Sequence, residues 1–178
     1  TVNGITRSRL AAVDATTGAV GSFNAGTFTG ISVFSMVTDG TLLYFGGNFT
    51  QVNGNTRNRL AAVDLASGSL DSWNPNLSGL VNDLCKDGST LYVGGSFATV
   101  GGTTTRNRLA SFDLLTKTLT TWNPNCNGTV NAVAVSGNNV FVGGAYTTIG
   151  GASRTNFAAI DKSSGLAVAP VATANSSV

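Results

Sequence analysis

Arginine side chains recur at equivalent positions along this chain. Among the residue patterns of the sequence, this one most resembles a ligand-binding site. The first set of equivalent positions, or column, contains Arg7, Arg57, Arg106 and Arg154. A second column, two residues later, contains Arg9, Arg59 and Arg108. A row of guanidinium groups can bind an acidic polymer or a sulfated glycan. The alternative is that each arginine bonds backbone carbonyls, or an aspartate, between adjacent copies; recurrence in every copy favours this structural interpretation.

An aromatic column offers a second candidate ligand surface. Trp73 and Trp122, with Phe23 at the equivalent earlier position, could stack on sugar rings. The alternative is that each aromatic ring packs an outer strand against its neighbour, while the indole N–H finds a hydrogen-bond partner inside the protein. The Asn-Pro-Asn sequence after each tryptophan suits a tight turn at least as well as a sugar site. Packing is therefore the favoured role, and ligand binding through Trp73, Trp122, Phe23, Arg57 and Arg106 is the secondary hypothesis.

The acidic residues point to turns and away from catalysis. One column contains Asp14, Asp64, Asp113 and Asp161, each directly after an apolar run. An aspartate in this place can accept backbone N–H groups two residues on, and no further oxygen ligands for calcium lie nearby in the sequence. The chain contains no Glu and no His, the commonest partners in acid–base and nucleophilic catalysis. We expect no catalytic residues, no metal site and no cofactor.

The two cysteines, Cys85 and Cys126, lack the partners that would make them reactive or zinc-binding. Without histidine, a Cys-His catalytic pair is excluded, as are most zinc sites. Cys85 falls in a column shared with Val37 and Ala134, so it is expected to act as a small core hydrophobe. Cys126 falls in a different column, and a disulfide has strict geometric demands. Two separate thiols are expected, with a disulfide as the alternative.

These columns arise because the chain repeats itself about three and a half times. The clearest copies read TRNRLAAVDLASGSLDSWNPN from Thr56 and TRNRLASFDLLTKTLTTWNPN from Thr105, with weaker copies from Thr6 and Ser153. One such unit cannot bury its apolar face alone, so the units must stack. We predict a single repeat array over residues 1–178, with units at approximately 1–32 (partial), 33–80, 81–129 and 130–178.

Each unit reads as four short β-strands. The run VNDLCKDGSTLYVGG, residues 81–95, is a hairpin with an Asp-Gly turn, and residues 33–47 and 130–144 are equivalent. The hairpins end in the glycine pairs Gly46-Gly47, Gly94-Gly95 and Gly143-Gly144. A third strand, apolar on both faces, is predicted at residues 9–14, 59–64, 108–113 and 157–161. A fourth strand ends at the WNP sequence.

This pattern predicts an all-β protein, with four-stranded units arranged as a β-propeller-type array. The alternative architecture is a β-solenoid, whose rungs do not need tight Asp-Gly hairpins. The sequence resembles the kelch type of propeller repeat in three features: Gly94-Gly95, Phe112-Asp113 and Trp122. The longer run YVGGSFATVGGTTTRNRLASFDLLTKTLTTWNPN resembles a bacterial propeller repeat family of unassigned function, found in large secreted and surface proteins. The resemblance implies a propeller fold and an extracellular or cell-surface location, but no activity.

The sequence departs from this pattern at both ends. Phe23 and Ala25 replace the tryptophan and proline in the first copy, and Pro170 replaces the tryptophan in the last. Such drift is expected of terminal units.

The chain holds three hairpins but four pairs of third and fourth strands, so the array does not close on itself. Three explanations are open. The chain is a fragment of a longer array, it completes a ring with another copy, or it propagates as a filament. We expect its ends to be paired with another segment.

Composition excludes several classes of partner. Only 10% of residues are charged and the net charge is +2, which argues against nucleic-acid binding. No apolar run reaches the length of about 20 residues that a membrane helix needs. Abundant Thr, Asn and Ser are typical of extracellular β-proteins, and 42% apolar residues in a regular pattern argue against disorder. Four Asn-x-Ser/Thr sequons are potential glycosylation sites: Asn48, Asn76, Asn127 and Asn175.

The sequence therefore predicts a non-catalytic extracellular scaffold, or a surface-assembly or adhesion protein. Its expected partners are other copies of itself or further repeats of a longer chain. The first alternative is a carbohydrate-binding module that uses the tryptophan column. The second is the non-catalytic propeller part of a larger enzyme.

Overall fold

The computed structural model describes residues 1–168, and their regular structure is entirely β-strand. The prediction of an all-β protein is confirmed. No helix in this part of the chain could cross a membrane. The strands form three principal sheets, one for each hairpin that the sequence predicts, and every pairing within them is antiparallel.

Sheet 1 consists of β1 (Phe28–Thr38), β2 (Leu42–Val52), β3 (Asn55–Thr56) and β4 (Leu60–Asp64). Strand β2 pairs with β1 on one side and with β4 on the other, while β3 pairs with the end of β2. The β1–β2 turn forms because the Asp39 carboxylate accepts the backbone N–H groups of Thr41 and Leu42, both at 2.8 Å.

Sheets 2 and 3 repeat this arrangement. Sheet 2 consists of β5 (Val81–Asp87), β6 (Thr90–Gly95), β9 (Leu109–Asp113) and β10 (Thr118–Leu119), in the order β5-β6-β9-β10. The short strands β7 (Thr99–Val100) and β8 (Thr104–Thr105) form a separate pair between β6 and β9 in the chain. Sheet 3 consists of β11 (Thr129–Ser136), β12 (Asn139–Ala145) and β15 (Phe157–Asp161). Its own separate pair is β13 (Thr148–Ile149) with β14 (Ala152–Ser153).

The fourth strand is much shorter than the sequence predicts. It spans two residues in sheet 2 and is reduced to the single bridges Val63–Leu70 and Ile160–Ala167 in the other two units. Beyond Leu70 the Asp71 N–H still donates to the Ala62 carbonyl of β4 at 2.9 Å, but the other polar groups of Asp71 bond elsewhere. The Asp71 carbonyl accepts a hydrogen bond from the Arg57 side chain, and the Asp71 carboxylate accepts the Trp73 N–H. These bonds turn the chain away from the sheet before a longer strand can form.

The predicted strand at residues 9–14 does not form either. Only the isolated bridge Val13–Val20 is present there. Its counterparts β4, β9 and β15 each pair with the second strand of a hairpin, and no described strand lies in that position beside residues 9–14.

The hydrophobic core lies between successive units. One cluster joins Tyr44 and Trp73 to Leu84, Val93 and Phe112 of sheet 2. A second cluster joins sheets 2 and 3 through residues that include Tyr92, Trp122, Val133 and Val142. A third packs residues 10–25 against sheet 1 and includes Leu10, Phe23, Phe45 and Val63. Each cluster draws on two units, so each sheet depends on its neighbour for burial.

Candidate functional site

The aspartate column caps the turn that follows each third strand. The Asp64 carboxylate accepts the backbone N–H groups of Ala66 and Ser67 and the Ser67 hydroxyl, at 3.1, 2.8 and 2.7 Å. Asp14, Asp113 and Asp161 make similar turn contacts. The bonds from Ser67 hold the pKa of Asp64 below its ordinary value. Within residues 1–168 no three His, Cys, Asp or Glu side chains are placed to share a metal ion.

The first arginine column holds the backbone of its own unit together. Arg106 donates to the carbonyls of Thr105 and Thr120, at 2.9 and 2.8 Å. Arg7, Arg57 and Arg154 make the equivalent pair of bonds to the preceding residue and to a carbonyl fourteen residues on. These acceptors lie within the same unit, so the expectation that the arginines bond between adjacent units is wrong.

The second arginine column occupies a strained backbone conformation. The φ angles of Arg9, Arg59 and Arg108 are 66°, 68° and 66°, in the left-handed region, and Asn156 takes 65° in the last unit. The conformation lets the Arg108 carbonyl accept the Gly95 N–H at 2.9 Å. The side chains of this column bond locally: Arg108 donates to the Phe97 carbonyl at 3.0 Å, and Arg59 donates to the Asn48 side chain.

We expect Arg106→Ala to lower the free energy of unfolding by about 1–3 kcal/mol, because the partly buried bond to the Thr120 carbonyl and the exposed bond to the Thr105 carbonyl lose their charged donor. Arg108→Asn is the matched control from the neighbouring column. It should change stability by less than about 1 kcal/mol, since asparagine tolerates the left-handed conformation and offsets the lost bond. Urea unfolding followed by circular dichroism measures both. Equal effects of the two substitutions would contradict these separate roles.

The tryptophans lie inside the interfaces between units. Trp73 is 7% exposed and Trp122 is 6% exposed. The Trp73 ring packs edge-on between Tyr44 and Phe112, with centroids 5.7 and 5.2 Å away. Its indole N–H donates to the Lys117 carbonyl of the next unit at 3.0 Å.

Trp122 repeats this arrangement one unit later. Its ring lies 5.1 Å from that of Tyr92, and its N–H donates to the Asp161 carbonyl at 3.0 Å. Phe23 is buried in the cluster that contacts sheet 1. None of the three rings presents an open face for a sugar.

The glycine pairs permit two kinds of close approach. A Cβ on Gly94 would meet the side chains of Val130 and Val133 in sheet 3, and a Cβ on Gly46 would meet Val81 and Leu84 in sheet 2. The second glycine of each pair, Gly47, Gly95 or Gly144, instead lies against the backbone of its own hairpin. Gly143, the counterpart of Gly46 and Gly94, lines a shallow apolar cavity of about 140 Å³ with Phe141 and Phe157.

Polar links between units were not found from the sequence. Lys117 pairs with Asp71 of the preceding unit at 2.7 Å, and Lys162 pairs with Asp87 in the same sense. The Asp83 carboxylate accepts hydrogen bonds from the Ser35 hydroxyl of sheet 1 and the Val133 N–H of sheet 3, at 2.9 and 2.8 Å. The sequence carries one sign of the contact made by Lys117. Lysine stands there at a position that is glycine in the other copies.

Three of the four sequon asparagines lie in the described part of the chain. The side-chain oxygens of Asn48 and Asn76 accept bonds from Arg59 and Asn58. Asn127 is exposed, and its amide donates to the Thr147 hydroxyl at 2.8 Å. Glycosylation stays a prediction, which intact-mass measurement tests. Asn175 and Pro170 lie outside the described residues.

Both cysteines are free thiols. Burial raises the pKa of Cys85, and it raises that of Cys126 to about 11. Since the thiolate is the reactive form, we expect Cys126 to resist alkylation at pH 8 in the folded protein. Two thiols per chain should react in denaturant, as mass spectrometry would show. Rapid labelling of Cys126 in the folded state would contradict this prediction.

A polar cavity of about 260 Å³ lies where sheets 1 and 2 are joined. It is lined by Asn58, Arg59, Asn76, Ser78, Thr99 and Gly102, together with the buried Leu77.

No protein-family model matches the chain, and no curated protein matches it. The kelch-like resemblance therefore stays a prediction.

Proposed function

We propose that this chain is a non-catalytic structural repeat protein that serves as an extracellular scaffold or surface-assembly subunit. One observation carries the proposal: the side chains that recur in every copy are used inside the array. The arginines bond backbone carbonyls, the aspartates cap turns, and both indoles donate to the next unit. A repeat whose recurring side chains all make contacts within the array is suited to a structural role in an assembly.

The same contacts support a propeller-type arrangement of the three sheets. The first strand of sheet 2, β5, contacts both β1 and β11, the first strands of the neighbouring sheets. Each sheet is formed around a tight hairpin, which a propeller unit needs and a solenoid rung does not. Low charge and the resemblance to secreted repeat proteins support an extracellular location.

The proposed role predicts self-association or association with further repeats. Analytical ultracentrifugation and negative-stain electron microscopy of the native protein test it. We expect rings or filaments of regular spacing, because units that dock head to tail propagate unless the array closes. A monodisperse monomer with fast amide exchange at both terminal segments would contradict the assembly role.

Carbohydrate binding is the second candidate, and the polar cavity is the observation that favours it. Amide, hydroxyl and guanidinium groups line this cavity, and such groups can bond sugar hydroxyls. A glycan array would test it, with Asn58→Ala as the cavity variant and Asn107→Ala, the equivalent position one unit later, as the matched control. Specific binding that only Asn58→Ala abolishes would support this candidate.

A further inference from the structure

The edge formed by residues 10–14 is exposed where its counterparts are covered. Val13 is 52% exposed, whereas the equivalent residues Val63, Phe112 and Ile160 are 0%, 2% and 0% exposed. In those three units the strand lies between the second strand of a hairpin and the fourth segment. Beside residues 10–14 only the fourth segment is present among the described residues.

The backbone of this edge has an unpaired side. The Ala12 carbonyl accepts the Gly21 N–H at 2.9 Å, and the Asp14 N–H donates to Ala19 at 2.8 Å. Because alternate residues of a strand direct their backbone groups to opposite sides, the groups of Ala11 and Val13 face away from residues 19–21. No described strand pairs with them, and such an edge is a template for another strand.

A second exposed feature lies on sheet 1. Met36 is 52% exposed, whereas its counterparts Leu84 and Val133 are 5% and 6% exposed. Leu84 and Val133 are covered because each packs against the first glycine of the preceding hairpin, Gly46 or Gly94. Met36 occupies the same register position, opposite Phe45 in β2, but no described hairpin precedes it.

One hairpin would cover both features. In sheet 2 the strand that pairs with β9 is β6, and the same β6 carries Gly94, against which Val133 packs. A strand paired with residues 10–14 in that register would therefore place its glycine against Met36. The edge and the methionine are separate in the sequence, yet the repeat geometry assigns them the same partner.

We propose that residues 10–14 and Met36 form a docking surface for a β-hairpin of this repeat's own type. The hairpin would carry an Asp-Gly turn and a second strand of apolar residues ending in Gly-Gly. Each hairpin within residues 1–168 already pairs with its own third strand, and residues 169–178 contain no glycine. The occupant is therefore a hairpin from a repeat outside this segment, bound by strand addition. The inference rests on the proposed assembly role and names the partner of one end.

The test uses the whole chain and a synthetic hairpin with the sequence of residues 81–96, carrying Cys85→Ser to prevent oxidation. Amide hydrogen exchange is measured residue by residue with and without the peptide. We expect exchange at Ala11 and Val13 to slow by about tenfold or more, because both amides gain strand partners. The control is the same peptide with Gly94→Val, in which the added side chain would collide with Met36. It should give little protection.

Two variants of the chain sharpen the test. Ala11→Pro removes an edge N–H that no described residue uses, so the fold should survive while protection by the peptide is lost. Met36→Lys leaves the edge intact and should weaken peptide binding by about tenfold, since it places a charge against an apolar surface. Circular dichroism and urea unfolding test whether both variants remain folded.

Either of two results would overturn the proposal. In the first, the peptide leaves the exchange of Ala11 and Val13 unchanged. In the second, these amides are already protected without peptide in a self-associated chain, which would make a second copy the occupant. If the peptide does not protect these amides while the chain still forms rings or filaments, this inference is wrong and the assembly role is unaffected. If the peptide binds to a chain that never assembles, the docking surface stands and the self-assembly role falls.

Discussion

Trp122→Ala is expected to lower the free energy of unfolding by about 3–5 kcal/mol, the range for removing a buried aromatic ring from a core. The indole is 6% exposed and packs edge-on against Tyr92, so alanine would leave a cavity between sheets 2 and 3. The substitution also leaves the Asp161 carbonyl without its N–H donor. Urea unfolding followed by far-ultraviolet circular dichroism measures the effect.

Trp122→Phe is the matched control. Phenylalanine retains most of the ring and already fills this column at Phe23. It should cost about 1–2 kcal/mol, mainly through the lost hydrogen bond and the smaller ring. Leu115→Ala, at a position 83% exposed, should change stability by less than about 0.5 kcal/mol. A Trp122→Ala protein of unchanged stability would contradict the packing role of this indole.

Gly94→Ala is expected to destabilise the protein by about 1–3 kcal/mol, although alanine usually suits a strand better than glycine does. The new Cβ would lie 2.5 Å from the Val130 side chain and 2.7 Å from the Val133 side chain, closer than carbon atoms can approach. Both valines are β-branched, which restricts their χ1 angles, so the two sheets must separate slightly. The measurement is again the urea midpoint at constant m-value.

Gly21→Ala provides the comparison. Gly21 is exposed, and its added Cβ would lie 3.7 Å from the nearest atom, at ordinary contact distance. Its φ angle is not positive, so alanine should be neutral or stabilise the chain by up to about 1 kcal/mol. A Gly94→Ala variant as stable as Gly21→Ala would mean that the sheets are not in close contact at Gly94.

The parts of this fold that the sequence predicts well are those fixed by local chemistry. The hairpin of β5 and β6 follows from an Asp-Gly turn between two apolar runs, and the Asp64 turn follows from one side chain reaching its nearest N–H groups. Repetition adds information that a single copy lacks. The column of Leu60 and Leu109 is apolar in every unit, and both side chains are fully buried in the core.

Contacts between distant residues were harder to predict. Nothing in the sequence shows that Arg106 bonds the Thr120 carbonyl of its own unit, because a guanidinium can reach many acceptors. The pairing of Lys117 with Asp71 joins two units through positions that do not recur. Residues 9–14 have the composition of a strand, yet a strand also needs a partner, and local sequence does not supply one.

The central claim is that successive sheets pack on each other through recurring positions such as Gly94, and a double-mutant cycle between Gly94→Ala and Val133→Ala tests it most directly. Val133→Ala alone removes two buried methyl groups and should destabilise the protein. In the Gly94→Ala background it removes one of the two collisions of the new Cβ, while the contact with Val130 at 2.5 Å remains, so we predict a favourable coupling of at least about 0.5 kcal/mol. Additive effects, with a coupling energy near zero, would contradict the claim that sheets 2 and 3 pack on each other through this column.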